Sequence, residues 1–233
     1  MSSGGDNPGS GGVIVTLDGP AGTGKSSVAR AVAEALGFDF LDTGAMYRAI
    51  GLAAHRREAD FDDPRELAYI AGHCRIEFDW DHDPPALILN GENVSHLLRS
   101  GDATAAASYV ATVPQIRERL VEQQRQIGRE HTARGGLVTE GRDQGSIVFP
   151  DAAHKFFLNA DPRERARRRA NQLRGRGELV DEQAIYNEML ARDKRDQTRA
   201  VAPLVRPDDA TEIDTTGMTQ EDVVAKIVAA VRA

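Results

Sequence analysis

The sequence has few of the residues that mark secreted or membrane proteins. It contains a single cysteine, Cys74, which excludes an internal disulfide framework and suits a reducing compartment. No apolar run approaches the ~20 residues that a membrane-spanning helix needs. We therefore expect a cytoplasmic protein with no membrane partner, whose 233 residues form one compact domain with insertions.

The first residues, MSSGGDNPGSGG, lack both the basic stretch and the apolar core of a secretory signal peptide. A segment so rich in Gly and Ser buries too little apolar surface to offset its loss of entropy on ordering. We predict a disordered arm over residues 1–12.

Lysine is scarce as well. Only four of the 29 basic residues are lysine, so the other 25 are arginine, and the formal net charge is −7. An acidic chain disfavours broad binding to nucleic acids or anionic membranes. The planar guanidinium group suits bidentate binding of phosphates and base edges. We therefore expect small-molecule partners, no nucleic acid, and a positively charged cleft in an acidic monomer.

One short segment predicts what that cleft binds. Residues 13–27 read VIVTLDGPAGTGKSS: a β-branched strand, a glycine loop of the form GxxxxGK[ST], and the start of a helix that ends near Gly37. In such a loop, backbone N–H groups bind phosphates, the lysine reaches the β and γ oxygens, and the serine ligates Mg²⁺. We predict an ATP and Mg²⁺ site with Ser26 as the metal ligand, built from Gly19, Pro20, Ala21, Gly22, Thr23, Gly24, Lys25, Ser26 and Ser27.

Further apolar runs extend this frame. Val13 to Leu17 predicts a central parallel strand, and residues 137–139, 155–158 and 212–213 predict more core strands. Thr219 and Asp222 predict a capping box at the start of the last helix. The pattern is that of an α/β fold whose parallel sheet is flanked by helices.

The pattern changes between residues 40 and 130. RIEFDW (75–80) alternates, and ALIL (86–89) runs into Asn90-Gly91, a strong hairpin signal. A helix is predicted from about Val113 to Arg129. We interpret residues 40–129 as an inserted acceptor-binding lobe with a small antiparallel sheet, and residues 13–39 and 130–233 as the P-loop core.

The destination of the terminal phosphate depends on the other motifs. A guanine-reading NKxD motif is absent, and the chain is short for a motor or helicase. LDTGAMYRA (41–49), ASYVATVPQIR (107–117), EGRDQGSIVFPDA (140–152) and RDKRDQTRAVAPL (192–204) resemble the motifs of bacterial cytidylate kinases, in the same order. The resemblance covers residues 13 to 230. It implies a nucleoside-monophosphate-kinase fold with a mobile lid, and an enzyme that transfers the γ-phosphate of ATP to CMP or dCMP.

The resemblance also assigns residues. Fixed positive charge must offset the repulsion between the acceptor phosphate and ATP, and the family implies that Arg48 and Arg142 clamp the acceptor phosphate. It implies that Arg192 and Arg195 reach the transferring group, so the expected catalytic set is Lys25, Arg142, Arg192 and Arg195. A carboxylate and an arginine complement the donor and acceptors of a cytosine edge. The implied contacts to base and sugar come from Thr43, Tyr47, Ser108, Arg117, Asp143, Asp196 and Arg199.

Alternative interpretations stay open at this point. Arg48 and Asp196 could form exposed ion pairs, and Ser108 could cap a helix. Residues 161–177 hold seven arginines, which could form a solvated helix face, an RNA-binding arm or a lid. The family resemblance favours a lid over about 161–180, with a turn at 174–177 and with Arg165, Arg168 and Arg169 on the ATP phosphates. The rival functions are a kinase of another small acceptor and an RNA-binding P-loop module.

Overall fold

The structure is a computed structural model that describes residues 12–98 and 100–233, so the predicted arm lies outside the described residues apart from Gly12. The chain forms a five-stranded parallel sheet flanked by helices, together with a three-stranded antiparallel sheet. Within the described part of the chain, no helix is both long and apolar enough to cross a bilayer. The predicted fold class is confirmed.

Helices and strands alternate at the two ends of the described chain, and a π-helical turn over Gln144–Val148 follows the sixth strand. In chain order the elements are β1 Val13–Asp18, α1 Lys25–Leu36, β2 Asp39–Asp42, α2 Thr43–Arg56, α3 Pro64–Gly72, β3 Ile76–Asp79, β4 Ala86–Leu89, β5 Glu92–Asn93, α4 Gly101–Val110, α5 Pro114–Thr132, β6 Gly136–Glu140, β7 His154–Asn159, α6 Pro162–Arg174, α7 Glu182–Thr198, β8 Thr211–Asp214 and α8 Gln220–Arg232.

The parallel sheet has the strand order β2-β6-β1-β7-β8, which places β1 in the centre as predicted. Val15 and Leu17 have no exposed surface, because helices cover the sheet on both faces. The carboxyl ends of β1, β2 and β6 lie side by side through the β1–β6 and β2–β6 pairings. The segments that leave these three ends therefore meet in one crevice, the usual ligand position in a parallel α/β sheet.

The predicted helix boundaries agree with local chemistry. Helix α1 ends at Gly37, whose left-handed conformation (φ 70°) suits glycine. Helix α8 starts with the predicted capping box, in which the Thr219 side chain and the Asp222 side chain each accept from the other's backbone N–H. Helix α5 begins one residue after its N-cap Val113 and continues three residues beyond the predicted end.

The antiparallel sheet has the order β3-β4-β5, and its hairpin turns at Asn90 and Gly91, both with positive φ. Its apolar face joins α2, α3, α4 and α5 in one buried cluster that includes Ile50, Leu87 and Leu120. The predicted boundary at residue 40 falls inside β2, which pairs with β6 of the main sheet. The core therefore extends to residue 42, and the rest of the division into lobes stays a prediction.

Candidate functional site

The loop between β1 and α1 has the backbone shape that its glycines allow. Gly24 has φ 88° and forms the N-cap of α1, so the first N–H groups of that helix open toward the loop. A Cβ at Gly19 would lie 2.0 Å from the Leu158 carbonyl oxygen, which leaves room for glycine alone. The loop is therefore an anion-binding turn at the amino end of a helix, as the motif predicts.

Lys25 is buried at the floor of this loop with 5% of its surface exposed. Its Nζ donates to the carbonyl oxygen of Pro20 at 2.7 Å. Burial, and after it the charge of Arg142, lowers the pKa of Lys25 to about 7. A buried amine in this state lacks a full counter-charge, and a bound polyphosphate would supply one.

Ser26 and Glu140 form the part of the site that can hold a cation. The Ser26 hydroxyl donates to Glu140 Oε1 at 2.7 Å, which joins the start of α1 to the end of β6. Burial, and after it the nearby Asp42 carboxylate, raises the pKa of Glu140. Hydroxyl and carboxylate oxygens suit Mg²⁺, so these two residues fit the predicted ion. No group of three or more His, Cys, Asp or Glu side chains within residues 12–98 and 100–233 is arranged to hold a metal alone.

Three arginines form a group beside Lys25: the charges of Arg142 and Arg192 act on Lys25, and the charge of Arg48 acts on Arg192. Arg48 of α2 pairs with Asp42 at 2.7 Å, and Arg142 pairs with Asp196 of α7 at 3.0 Å. Burial, and after it the charge of Arg142, lowers the pKa of Arg192 to about 10. Within the described chain, the buried Nε atoms of Arg48 and Arg192 have no hydrogen-bond partner. Free N–H groups on guanidinium side chains suit an anionic ligand.

A second cluster lies at the end of α5 that faces the π-helical turn. Arg117 and Asp143 form a buried salt bridge, and each has 4% of its surface exposed. The Arg117 guanidinium carbon lies 5.6 Å from the centroid of the Tyr47 ring. Burial raises the pKa of Tyr47 to about 12, so its hydroxyl stays protonated. Arg199 is close enough to Arg117 and Asp143 to be affected by their charges, and its Nη2 is buried without a partner among residues 12–98 and 100–233.

The π-helical turn that follows Asp143 is fixed from several sides. The Asp18 carboxylate, at the end of β1, accepts from the backbone N–H groups of Gln144 (2.9 Å) and Gly145 (2.7 Å). The Gln144 side chain accepts from Thr139 and donates to Gln124. Asp143 is thus attached to the strand that carries the phosphate loop, and π-helical turns of this kind are frequent at functional sites.

Sequence reasoning missed Asp18, Glu140 and Gln144 as parts of the site. Glu140 and Asp18 carried a usable signal, because each is an acidic residue at the carboxyl end of an apolar strand, directly before a glycine. The role of Gln144 depends on side-chain partners from α5 and β6, which no local pattern shows.

Some predicted residues occupy other positions than expected. The Thr43 hydroxyl is buried and donates to the Glu140 carbonyl oxygen at 2.6 Å. The Ser108 hydroxyl donates to the carbonyl oxygen of Thr104 in its own helix. Arg195 is exposed. The alternative of an exposed pair for Asp196 is wrong, because Asp196 is 8% exposed and binds Arg142. The contacts of Thr43, Ser108 and Arg195 with a substrate stay predictions.

The arginine-rich segment forms α6, with a turn at residues 175–177. Arg168 donates to the side chain and carbonyl oxygen of Thr215, and Arg169 donates to Gln172. Arg165 is buried and reaches the phosphate loop itself through the Ala21 carbonyl oxygen at 3.0 Å. Helix α6 therefore lies against the phosphate loop. The role of its arginines toward ATP stays a prediction.

Comparison with known proteins agrees with this geometry. The sequence profile of a family described as Cytidylate kinase matches residues 15–233. The cytidylate kinase of Pelotomaculum thermopropionicum is 46% identical over 220 residues, which cover 94% of this chain and 96% of the relative. That of Haemophilus ducreyi is 44% identical, over 93% of this chain and 95% of the relative. A crystal structure of an uncharacterized protein from Eubacterium ventriosum shares the fold with a TM-score of 0.53, at 16% identity, over 94% of this chain and 98% of that one.

Proposed function

The chain belongs to the cytidylate kinase family, and we propose that it transfers the γ-phosphate of ATP to CMP or dCMP, giving ADP and CDP or dCDP, in the crevice described above. One observation carries the proposal. The same crevice has a phosphate end, with Lys25 and free arginine N–H groups, and a base end, with the buried Arg117–Asp143 pair. An ATPase needs only the first of these two ends.

The phosphate end suits a reaction between two anions. The acceptor phosphate oxygen attacks the γ-phosphorus in line, and the bond to the ADP oxygen breaks, so that ADP leaves as an anion. Lys25, Arg48, Arg142 and Arg192 offset the charge on the two phosphate groups. No general base is required, because a phosphate monoester is already ionised at neutral pH. Catalysis is mainly positioning and electrostatic stabilisation.

Ser26 and Glu140 are the residues that would hold Mg²⁺. When bound, the ion supplies further neutralisation of phosphate charge and a fixed orientation for the phosphates. The protein offers few ligands of its own here, which suits Mg²⁺, because this ion usually takes one or two carboxylates and completes its shell with phosphates and water.

The base end suits cytosine. The salt bridge to Arg117 uses Asp143 Oδ2, and we propose that the carboxylate also accepts from the N4 amino group of the base. Arg199 has an unpaired Nη2 that can donate to a base acceptor. Uracil presents an oxygen where cytosine has its amino group, and that oxygen would face the Asp143 carboxylate. The pair therefore rejects uracil, because the uracil oxygen would have no hydrogen-bond donor and would be repelled by the carboxylate.

Location and assembly stay proposals. Cys74 is the single cysteine of the chain and is buried, and among residues 12–98 and 100–233 no His, Cys, Asp and Glu cluster could hold a metal. A lone buried thiol suits the reducing cytoplasm, where nucleotides of pyrimidine metabolism are interconverted. We propose a cytoplasmic monomer that needs neither nucleic acid nor membrane as a partner.

A panel of nucleoside monophosphates tests the function. The purified protein is incubated with ATP and Mg²⁺, and ADP release is measured with CMP, dCMP, UMP, AMP, GMP or no acceptor. We expect release that depends on CMP or dCMP and a far lower rate with water as the acceptor. Equal rates with every acceptor, or release that needs none, would overturn the proposal. Preference for a different monophosphate would favour the rival kinase.

A further inference from the structure

Three arginines of α6 are predicted to bind ATP, and Arg165 is the one whose side chain donates a hydrogen bond to the phosphate loop. Its side chain is 4% exposed. The Nε atom donates to the carbonyl oxygen of Ala160 at 3.1 Å. The Nη1 atom donates to the Ala21 carbonyl oxygen at 3.0 Å and to Asp193 Oδ2 at 2.5 Å. These three acceptors occupy Nε and Nη1, and the two N–H groups of Nη2 remain.

Asp193 of α7 completes the same contact. Its carboxylate is buried, and Oδ1 accepts from the backbone N–H of Ala21 at 3.4 Å while Oδ2 binds Arg165. The methyl group of Met189, one turn earlier, lies so close to Gly22 that a Cβ there would be 2.4 Å away. Both backbone polar groups of Ala21 are therefore engaged by an ion pair that spans α6 and α7.

We propose that Arg165 and Asp193 are positioning residues, which fix the Ala21–Gly22 turn of the phosphate loop to α6 and α7. This role uses Nε and Nη1 of Arg165 and does not depend on phosphate binding by its Nη2. It ties the arginine-rich helix to the loop, so a displacement of α6 and α7 also displaces the loop backbone. The inference rests on the proposed function only for the identity of the donor nucleotide.

The energetics of a buried pair give the proposal a signature. Removal of one partner leaves the other as an uncompensated buried charge, so each single substitution carries most of the penalty. Two residues that act as one unit are strongly non-additive in a double-mutant cycle. Two residues that contribute separately, one by binding phosphate and one by packing, would instead give additive effects.

The kinetic experiment compares Arg165→Gln, Asp193→Asn and the double variant, with Arg167→Gln as the matched control. Arg167 lies on the same helix but is exposed and pairs with Glu164. We expect kcat/KM for ATP to fall by about 100-fold in each single variant, because a misplaced loop spoils the alignment of the reacting groups. The kcat/KM for ATP of the double variant should be no lower than that of the less active single variant. The KM for CMP should stay within about 2-fold, and Arg167→Gln should match the parent.

Two outcomes would overturn the proposal. If Asp193→Asn leaves kcat/KM for ATP within about 3-fold while Arg165→Gln lowers it, Arg165 acts on ATP without Asp193. If the losses in the two single variants add in the double variant, the residues do not form a unit. Thermal midpoints show whether a variant is folded, and if Arg165→Gln is not, the decision rests on Asp193→Asn and the next measurement.

Hydrogen exchange tests the same contact without any reaction. In the nucleotide-free protein, Asp193→Asn should speed exchange in the segment 19–24 by about 10-fold or more, while the segment 220–232 of α8 should exchange as in the parent. Unchanged exchange at 19–24 would show that Asp193 does not hold the loop. This readout separates the two proposals, because a parent protein without CMP-dependent ADP release would contradict the function and leave the loop contact measurable.

Discussion

The two ends of the crevice differ in how far their arginines are paired. Both ends contain ion pairs, which at the phosphate end join Arg48 to Asp42 and Arg142 to Asp196. At the base end, Arg117 is neutralised by Asp143 in a salt bridge from which water is almost excluded. At the phosphate end, Arg48 and Arg192 keep buried Nε atoms with no partner within the described chain, and Lys25 donates to the neutral carbonyl oxygen of Pro20. The base end is organised around a closed pair, with the unpaired Nη2 of Arg199 beside it, and the phosphate end holds two unpaired arginine Nε atoms within the described chain.

This difference indicates what each end can recognise. A neutral pair offers no net charge to a ligand, but its carboxylate and guanidinium groups present a fixed pattern of acceptor and donors to a base edge. Unsatisfied donors in a region of low dielectric constant bind an anion strongly and carry little information about its shape. We therefore expect substitutions at the phosphate end to change rate, and substitutions at the base end to change selectivity.

The largest expected effect is at the phosphate end. Lys25→Ala should lower kcat by at least ~10³-fold, because it removes a charge directed at the transferring phosphoryl group. The thermal midpoint should not fall, since the substitution also removes a buried amine whose pKa is depressed. The measurement is steady-state kinetics with saturating CMP, with Lys226→Ala on the exposed face of α8 as the control. Near-normal turnover by folded Lys25→Ala would contradict the assignment of the loop.

A substitution at the base end should have a smaller effect, and it should change the selectivity between CMP and UMP. Asp143→Asn keeps the size of the side chain but can present an N–H group to the O4 atom of uracil. The ratio of kcat/KM for CMP over UMP should fall by at least ~10-fold, mostly through loss of CMP activity. The substitution also leaves Arg117 with a buried, unpaired charge, so the thermal midpoint should fall.

Arg117→Ala is the matched control for that ratio. Cytosine and uracil both carry an O2 atom that accepts hydrogen bonds. Loss of Arg117 should therefore lower kcat/KM for both CMP and UMP, and change the ratio of the two values less than Asp143→Asn does. If Asp143→Asn leaves the CMP/UMP ratio at the parent value, base recognition lies elsewhere in the crevice, and the contrast between the two ends is wrong.

The fold was accessible from the sequence because its signals are local. The β-branched run before the glycine loop, Gly37 after α1 and the Asn90-Gly91 turn each act within a few residues of where they stand. The predicted positions of these elements are confirmed. No local pattern shows that residues 39–42 belong to the main sheet, because β2 is identified by its pairing with β6, about a hundred residues later.

The site was accessible only in part, for the same physical reason. Motifs identified Lys25, Asp143 and Arg117 as site residues, and the structure brings the last two together as a pair. They could not show that the Thr43 hydroxyl is used within the core, or that Arg165 is engaged by Asp193. Those outcomes depend on which long-range partner lies within hydrogen-bond distance, and a motif carries no distances between elements.

The smallest expected effect is a pH dependence of ATP affinity, which tests whether Lys25 at the phosphate end lacks a counter-charge before ATP binds. Without nucleotide, burial and then Arg142 lower the pKa of Lys25 to about 7, and bound polyphosphate should raise that pKa. Between these two pKa values, binding of ATP takes up a proton, so ATP affinity should fall as pH rises above 7. The dissociation constant of a non-hydrolysable ATP analogue should rise by up to about 10-fold between pH 7.5 and 8.5.

Two neighbouring carboxyls contribute a slope of the same sign. Burial raises the pKa of Asp18 to about 7 and also raises the pKa of Glu140, whereas the pKa of Arg192 at about 10 keeps its guanidinium charged. Lys25→Arg is the control, because arginine stays protonated while both carboxyls remain, so the affinity of this variant for the analogue should vary less over the same interval than that of the parent. Fluorescence titrations at five pH values on the parent and this variant measure both slopes. If the dissociation constant varies with pH equally in the parent and in Lys25→Arg, Lys25 is already charged before ATP binds. The phosphate end would then hold more negative charge near Lys25 than its geometry indicates.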